Sequence, residues 1–104
     1  MVGVAQTAPV VSLALSAVTA QVGTLITLTA NASGPVSPIA KVEFFDNGSK
    51  VGAALSQPYQ VSYTPAGTGR HSLVAVATDA AGTATTSAPQ TLDISVLAVA
   101  SIIV

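Results

Sequence analysis

Apolar and polar residues alternate along most of this chain with a period of two, in short runs separated by turn residues. The clearest run is Leu25 to Ala32, where Ile26, Leu28 and Ala30 fall on one side and Thr27, Thr29 and Asn31 on the other. A period of two sends successive side chains to opposite faces, so this run predicts a half-buried strand with a hydroxyl-rich outer face. The same logic predicts a first strand over Val10 to Leu15, following Pro9, with Val22-Gly23 as the next turn. Ser33-Gly34-Pro35 and Pro38 form a loop. In Lys41 to Asp46, Val42 and Phe44 point inward while Lys41, Glu43 and Phe45 point outward. Asn47-Gly48 tolerates the positive φ of a tight turn, so Ser49 to Leu55 is predicted to return as a hairpin partner.

Gln57-Pro58 breaks that strand, and a fifth follows in which Tyr59, Val61 and Tyr63 alternate with Gln60, Ser62 and Thr64 until Pro65. Arg70 to Thr78 reads as the sixth, after a turn over Ala66 to Gly69. Asp79-Ala80-Ala81-Gly82 turns the chain, and Thr83 to Val96 returns with an interruption at Pro89. Seven or eight short strands with regular turn signals predict an all-β, immunoglobulin-like antiparallel β-sandwich. No segment carries a helical period, and the Thr, Val and Gly content opposes one.

Length and charge narrow the picture. A chain of 104 residues holds one domain. It contains no cysteine, so disulfides and thiolate metal sites are excluded. Three basic residues cannot neutralise a row of phosphates, which excludes nucleic acid as a partner. Charged residues make up 7% of the chain against about 25% in ordinary soluble domains, and all lie between Lys41 and Asp93. Uncharged extremities suggest surfaces covered by other protein subunits, or by a second copy of the chain; the alternative is a Ser/Thr/Ala-rich sandwich kept soluble by its hydroxyls. Ile94 to Val104 is apolar but too short to span a bilayer, which takes about 20 residues, and its β-branched content favours a strand or an extended tail. The expected organisation is an N-terminal extension over 1–8, the sandwich over 9–96 and an apolar tail over 97–104.

The run Lys41-Val42-Glu43-Phe44-Phe45-Asp46-Asn47-Gly48, then Val51-Gly52, Pro58-Tyr59, Gly69-Arg70-His71-Ser72-Leu73 and Ala75 to Gly82, resembles the bacterial Ig-like domain family. Val11-Ser12-Leu13 and Thr27-Leu28-Thr29-Ala30 fit the same pattern, so the resemblance covers roughly residues 9–96. It implies a sandwich without catalysis, of the kind found as spacers, adhesive modules and virion components. It also implies that His71, the sole histidine, opens the penultimate strand and points inward.

The candidate chemistry is sparse. One His with scattered Asp residues, and no nucleophile elbow, does not make a triad. Asp46, Asn47 and Asp79 sit in predicted loops and could offer oxygens to calcium, but no dense acidic loop surrounds them; as turn formers they need no ion. No cofactor or metal is therefore expected. Phe44, Tyr59 and Tyr63 as a carbohydrate-stacking platform is the lesser reading, because alternation turns them inward.

The anomaly lies on the other face of the sheet. Val74 and Val76 fall opposite Leu73, Ala75 and Ala77, and Phe45 points outward on a neighbouring strand, so the three are expected to form an exposed apolar patch. Together with Val99, Ile102, Ile103 and Val104 of the tail they make the expected interface. The chain opens with Met, shows no secretion signal and is one domain long, which points to a bacteriophage virion component such as a capsid decoration or tail-associated protein. The alternative is a spacer or adhesion module of a secreted bacterial enzyme or cell-surface protein, located outside the cell.

Overall fold

The computed structural model describes residues 8–34 and 37–96. Nine strands follow in chain order: β1 (Val10–Leu15), β2 (Thr19–Gln21), β3 (Ile26–Ser33), β4 (Ile39–Asp46), β5 (Ser49–Ala54), β6 (Tyr59–Tyr63), β7 (Gly69–Asp79), β8 (Ala84–Thr86) and β9 (Gln90–Ser95). One sheet has the order β1-β3-β6; the other runs β2-β9-β7-β4-β5, with β8 also paired to β7. Their inner faces close on one core, in which Ile26 and Leu28 of β3 meet Val42 and Phe44 of β4, Leu73, Ala75 and Ala77 of β7, and Leu92 of β9, all fully buried. The fold is an open immunoglobulin-like sandwich, as the alternation predicts. No helix long and apolar enough to cross a membrane occurs among the described residues.

Two features depart from the sequence reading, and a third, the break near Pro89, agrees with it. Strand β2 was not expected: Thr19 to Gln21 is too short to show a period, and the pairing that defines it is parallel to β9, with Thr19 opposite Asp93 and Gln21 opposite Ser95. The chain thus leaves the first sheet after Leu15 and joins the second without reversing. Strand β4 begins at Ile39 instead of Lys41, with an irregular register between Ile39 and Lys41. The return from Thr83 is two strands, because Ser87 to Pro89 interrupts it. There the buried Ser87 takes over the ladder: its N–H donates to Ala75 O (2.7 Å) and its Oγ accepts from Ala75 N (2.9 Å). Proline, lacking an N–H, cannot continue a central ladder.

The β4–β5 hairpin forms where predicted. Asn47 (φ 49°) and Gly48 (φ 89°) both take the positive φ of a two-residue hairpin turn. The register slips between Phe44, opposite Gly52, and Phe45, opposite Lys50, leaving Val51 as the extra residue of a bulge. Gly52 allows this edge of the sandwich to close, since a Cβ there would lie 3.1–3.3 Å from the Val61 side chain of β6.

Candidate functional site

Two groupings on this scaffold carry chemistry: a buried polar cluster at one end and an apolar strip on the outer face of the larger sheet.

The cluster joins the two sheets. Asp46 ends β4, His71 lies near the start of β7 and Tyr63 ends β6 of the opposite sheet. The Tyr63 hydroxyl donates to Asp46 Oδ2 (3.0 Å), and His71 Nδ1 lies 2.9 and 2.8 Å from the two Asp46 oxygens. His71 Nε2 faces the Gly67 carbonyl at 2.6 Å. Both ring nitrogens meet oxygens that can only accept, so the imidazole is best satisfied with both protons, as a cation. Burial opposes that charge. The Gly67 carbonyl, the Asp46 hydrogen bond and the Asp46 charge outweigh it and hold His71 above its ordinary value of 6.5. The Tyr63 hydroxyl moves up as well, through burial first and then the Asp46 contact and charge. A shallow hollow of about 360 Å³ opens beside the cluster, bordered by Ser49, Val51 and Thr64.

This arrangement positions side chains and performs no reaction. Its carboxylate is already shared between two donors, and its imidazole has no free nitrogen. The inward, bonded His71 agrees with what the family resemblance implies. That Asp46 is its partner, and is shared with Tyr63, was not read from the sequence, because the three residues lie on three strands and their closeness depends on sheet order.

The calcium reading brings together residues that the fold keeps apart. Asp46 pairs with Leu73 near one end of β7, whereas Asp79 closes that strand's other end opposite Ile39. Asp79 Oδ1 accepts from the N–H groups of Ala81 (3.0 Å) and Thr83 (2.9 Å), which makes it a turn former. Asn47 Oδ1 accepts from Ser72 N (2.8 Å), tying the hairpin tip to β7. Among the described residues no three His, Asp or Glu side chains gather as a metal site. Phe44 is fully buried, Tyr59 nearly so, and Tyr63 half-buried, so these aromatics line the interior and offer no stacking platform.

On the outer face of the larger sheet, Phe45 and Val74 are direct cross-strand partners, and Val76 stands opposite Glu43, one step further on the same face. All three are half-buried rather than freely exposed. Their strip is bounded by ions: Lys50 opposite Phe45, and Glu43 held by Lys50 (2.8 Å) and Lys41 (3.7 Å). The Lys50 hydrogen bond, aided by both lysine charges against a smaller desolvation, keeps the Glu43 carboxyl below its usual range. The remaining expected interface residues, Val99, Ile102, Ile103 and Val104, lie outside the described residues.

The profile of a family described as "Bacterial Ig domain" matches residues 9–93. Among solved structures, one titled "Structures of Clostridium thermocellum CbhA fibronectin(III)-like modules" superimposes with a TM-score of 0.72 at 27% sequence identity, covering 88% of this chain and 47% of that one. The chain therefore spans about half the length of that structure. No curated protein matches it.

Proposed function

The chain belongs to the bacterial Ig domain family and is a non-catalytic Ig-like module, and from that premise we propose that it serves as a spacer or adhesion module within a larger secreted or cell-surface bacterial protein. The observation that carries this reading is the direction of the terminal strands. Strand β1 starts at Val10, opposite Ser33 at the far end of β3, and β9 finishes at Ser95 beside Gln21, at the end where β3 begins. The chain therefore enters at one end of the sandwich and leaves at the other. A domain with that geometry holds what precedes and follows it apart by the length of its strands. The similar structure, about twice as long and titled as modules, supports placing such domains in longer chains.

Dyes attached at Ala8→Cys and Val96→Cys test the geometry. A single narrow separation of roughly 35–40 Å is expected, the length of the 11-residue β7 at about 3.3 Å per residue. A short or broad separation overturns it. In the parent polypeptide, replacing residues 9–96 with an unrelated rigid domain of equal span should leave the neighbouring domains' activities unchanged. Loss of activity would show that specific recognition, not spacing, is the role.

A contact role is the second reading, favoured by the cross-strand pairing of Phe45 with Val74. It makes the strip formed by these two and Val76 a docking face for a protein subunit or a second copy. Phe45→Ser combined with Val76→Thr should then lower self-association in sedimentation runs without unfolding the domain, and unchanged association would remove this face from consideration. A virion component would use the same surfaces, but no observation favours that setting over a multidomain bacterial protein.

A further inference from the structure

We infer that the domain resists tension applied along its long axis, and that the parallel contact between β2 and β9 is the clamp that bears it; this extends the spacer reading and rests on it for its occasion. Strand β2, the second from the N-terminal attachment, lies beside β9, the last strand before the C-terminal one. Asp93 N–H donates to Val18 O (2.9 Å) and Val22 N–H donates to Ser95 O (2.9 Å), bracketing the register Thr19–Asp93, Ala20–Ile94 and Gln21–Ser95. Both strands run in the same direction, so a pull on the N-terminal side draws β2 backward along its axis while a pull on the C-terminal side draws β9 forward. The strands can separate only by sliding past each other. Inter-strand hydrogen bonds lie across the strands, so sliding loads all of them together, whereas peeling breaks them one at a time.

The rest of the topology supports this direction of load. Before reaching β2, the N-terminal pull meets β1, held to β3 through six register pairs from Val10–Ser33 to Leu15–Leu28. On the other side β9 is held by β7 from Gly69–Ile94 to Leu73–Gln90. The pull along β1 and β9 is also parallel to these strands. Ala20 and Ile94 anchor the clamp in the interior, half-buried and buried respectively. By contrast, Ser49 at the β4–β5 hairpin and Val96 lie at the same end of the sandwich, since Asp46 pairs with Leu73 and Ile94 with Gly69. Pulling on that pair spreads the sheet sideways and peels its strands.

Single-molecule pulling of the full chain decides the matter. The first attachment pair is Ala8→Cys with Val96→Cys, the second Ser49→Cys with Val96→Cys, each confirmed as folded by circular dichroism. Because forced unfolding is governed by the barrier to opening, the first geometry should need at least about twice the force of the second at equal loading rate. Equal forces, or a lower force along the long axis, would overturn the clamp. A second variant isolates the strand pair: Gln21→Cys with Ser95→Cys, whose residues are exposed register partners, joined as a disulfide. With pulling handles attached end to end by peptide tags, oxidation should abolish the unfolding event seen in the reduced form. Persistence of that event at unchanged force also refutes the proposal. The clamp and the spacer fail separately: equal forces leave the dye separation untouched, and a short dye separation leaves the force ratio as measured.

Discussion

The two sheets share one interior but present different surfaces. The sheet β2-β9-β7-β4-β5 contains every Lys, Arg, Asp and Glu in the chain, from Lys41 to Asp93, whereas β1-β3-β6 contains none. On the charged sheet the outer face is ordered by ion pairs, Lys50–Glu43 at 2.8 Å and Arg70–Asp93 at 3.4 Å. On the other, hydroxyls and amides do this work: Gln60 Nε2 donates to Thr29 Oγ1 (3.0 Å), and the Thr27 and Ser62 hydroxyls meet at 3.2 Å. Either chemistry keeps an outer face hydrated. Most strand residues within the uncharged first forty positions belong to one sheet, as β1 and β3, so the lopsided charge along the sequence becomes two-sidedness in space.

If the sheets differ only outside, truncating the core should hurt equally from either side. Phe44→Ala on the charged sheet is expected to cost about 3–5 kcal/mol and Leu28→Ala on the uncharged sheet about 2–5 kcal/mol, read by urea denaturation. A small loss from one alone would show that the sheets do not share one core.

The cluster of Asp46, Tyr63 and His71 is the polar bond between them. Asp46→Ala leaves both donors unpartnered in a nearly buried site and should destabilise by about 2–4 kcal/mol. The His71 value is raised in the folded state, so its contribution is fully present below pH 6.5 and is lost as pH rises through the raised folded value. Melting temperature should therefore fall across that window in the native chain, and the fall should shrink in His71→Gln. A profile identical in both would show that the imidazole is not charged there.

Where the sheets close edge on edge, Gly52→Ala places a methyl 3.1–3.3 Å from Val61 and should cost about 1–2 kcal/mol unless that side chain turns aside. The smallest effects belong to the outer faces. Lys50→Ala should change stability by less than about 1 kcal/mol, and Asn31→Lys, which puts a charge on the uncharged sheet, by less than about 0.5 kcal/mol. A large loss from Asn31→Lys would mean that the uncharged face is packed against something.

The strands with strong alternation were legible from sequence because one face is buried and the other solvated. Ile26 to Asn31 and Lys41 to Asp46 show this most cleanly. Asn47-Gly48 located its hairpin because few other pairs accept two positive φ values. What could not be read depends on partners remote in sequence. Thr19 to Gln21 becomes a strand through Asp93 to Ser95 alone. Ser87 is buried as a substitute for a ladder bond, which its hydroxyl gives no sign of in isolation. The polar cluster was half legible: the inward His71 followed from the resemblance, but its partners required sheet order. The outward direction of Phe45, Val74 and Val76 followed from alternation; their half-burial reflects neighbouring side chains that a period of two does not describe.

The pairing of residue 19 with residue 93 also bears on how the domain is made. A ribosome releases the N-terminal strands long before β9 has cleared the exit tunnel, so the edge that β2 will occupy does not yet exist. Folding cannot close until synthesis has passed Ser95, and contacts between positions so distant in sequence form slowly. Nascent chains stalled shortly before that point should remain sensitive to protease, with protection arriving in one step once β9 emerges.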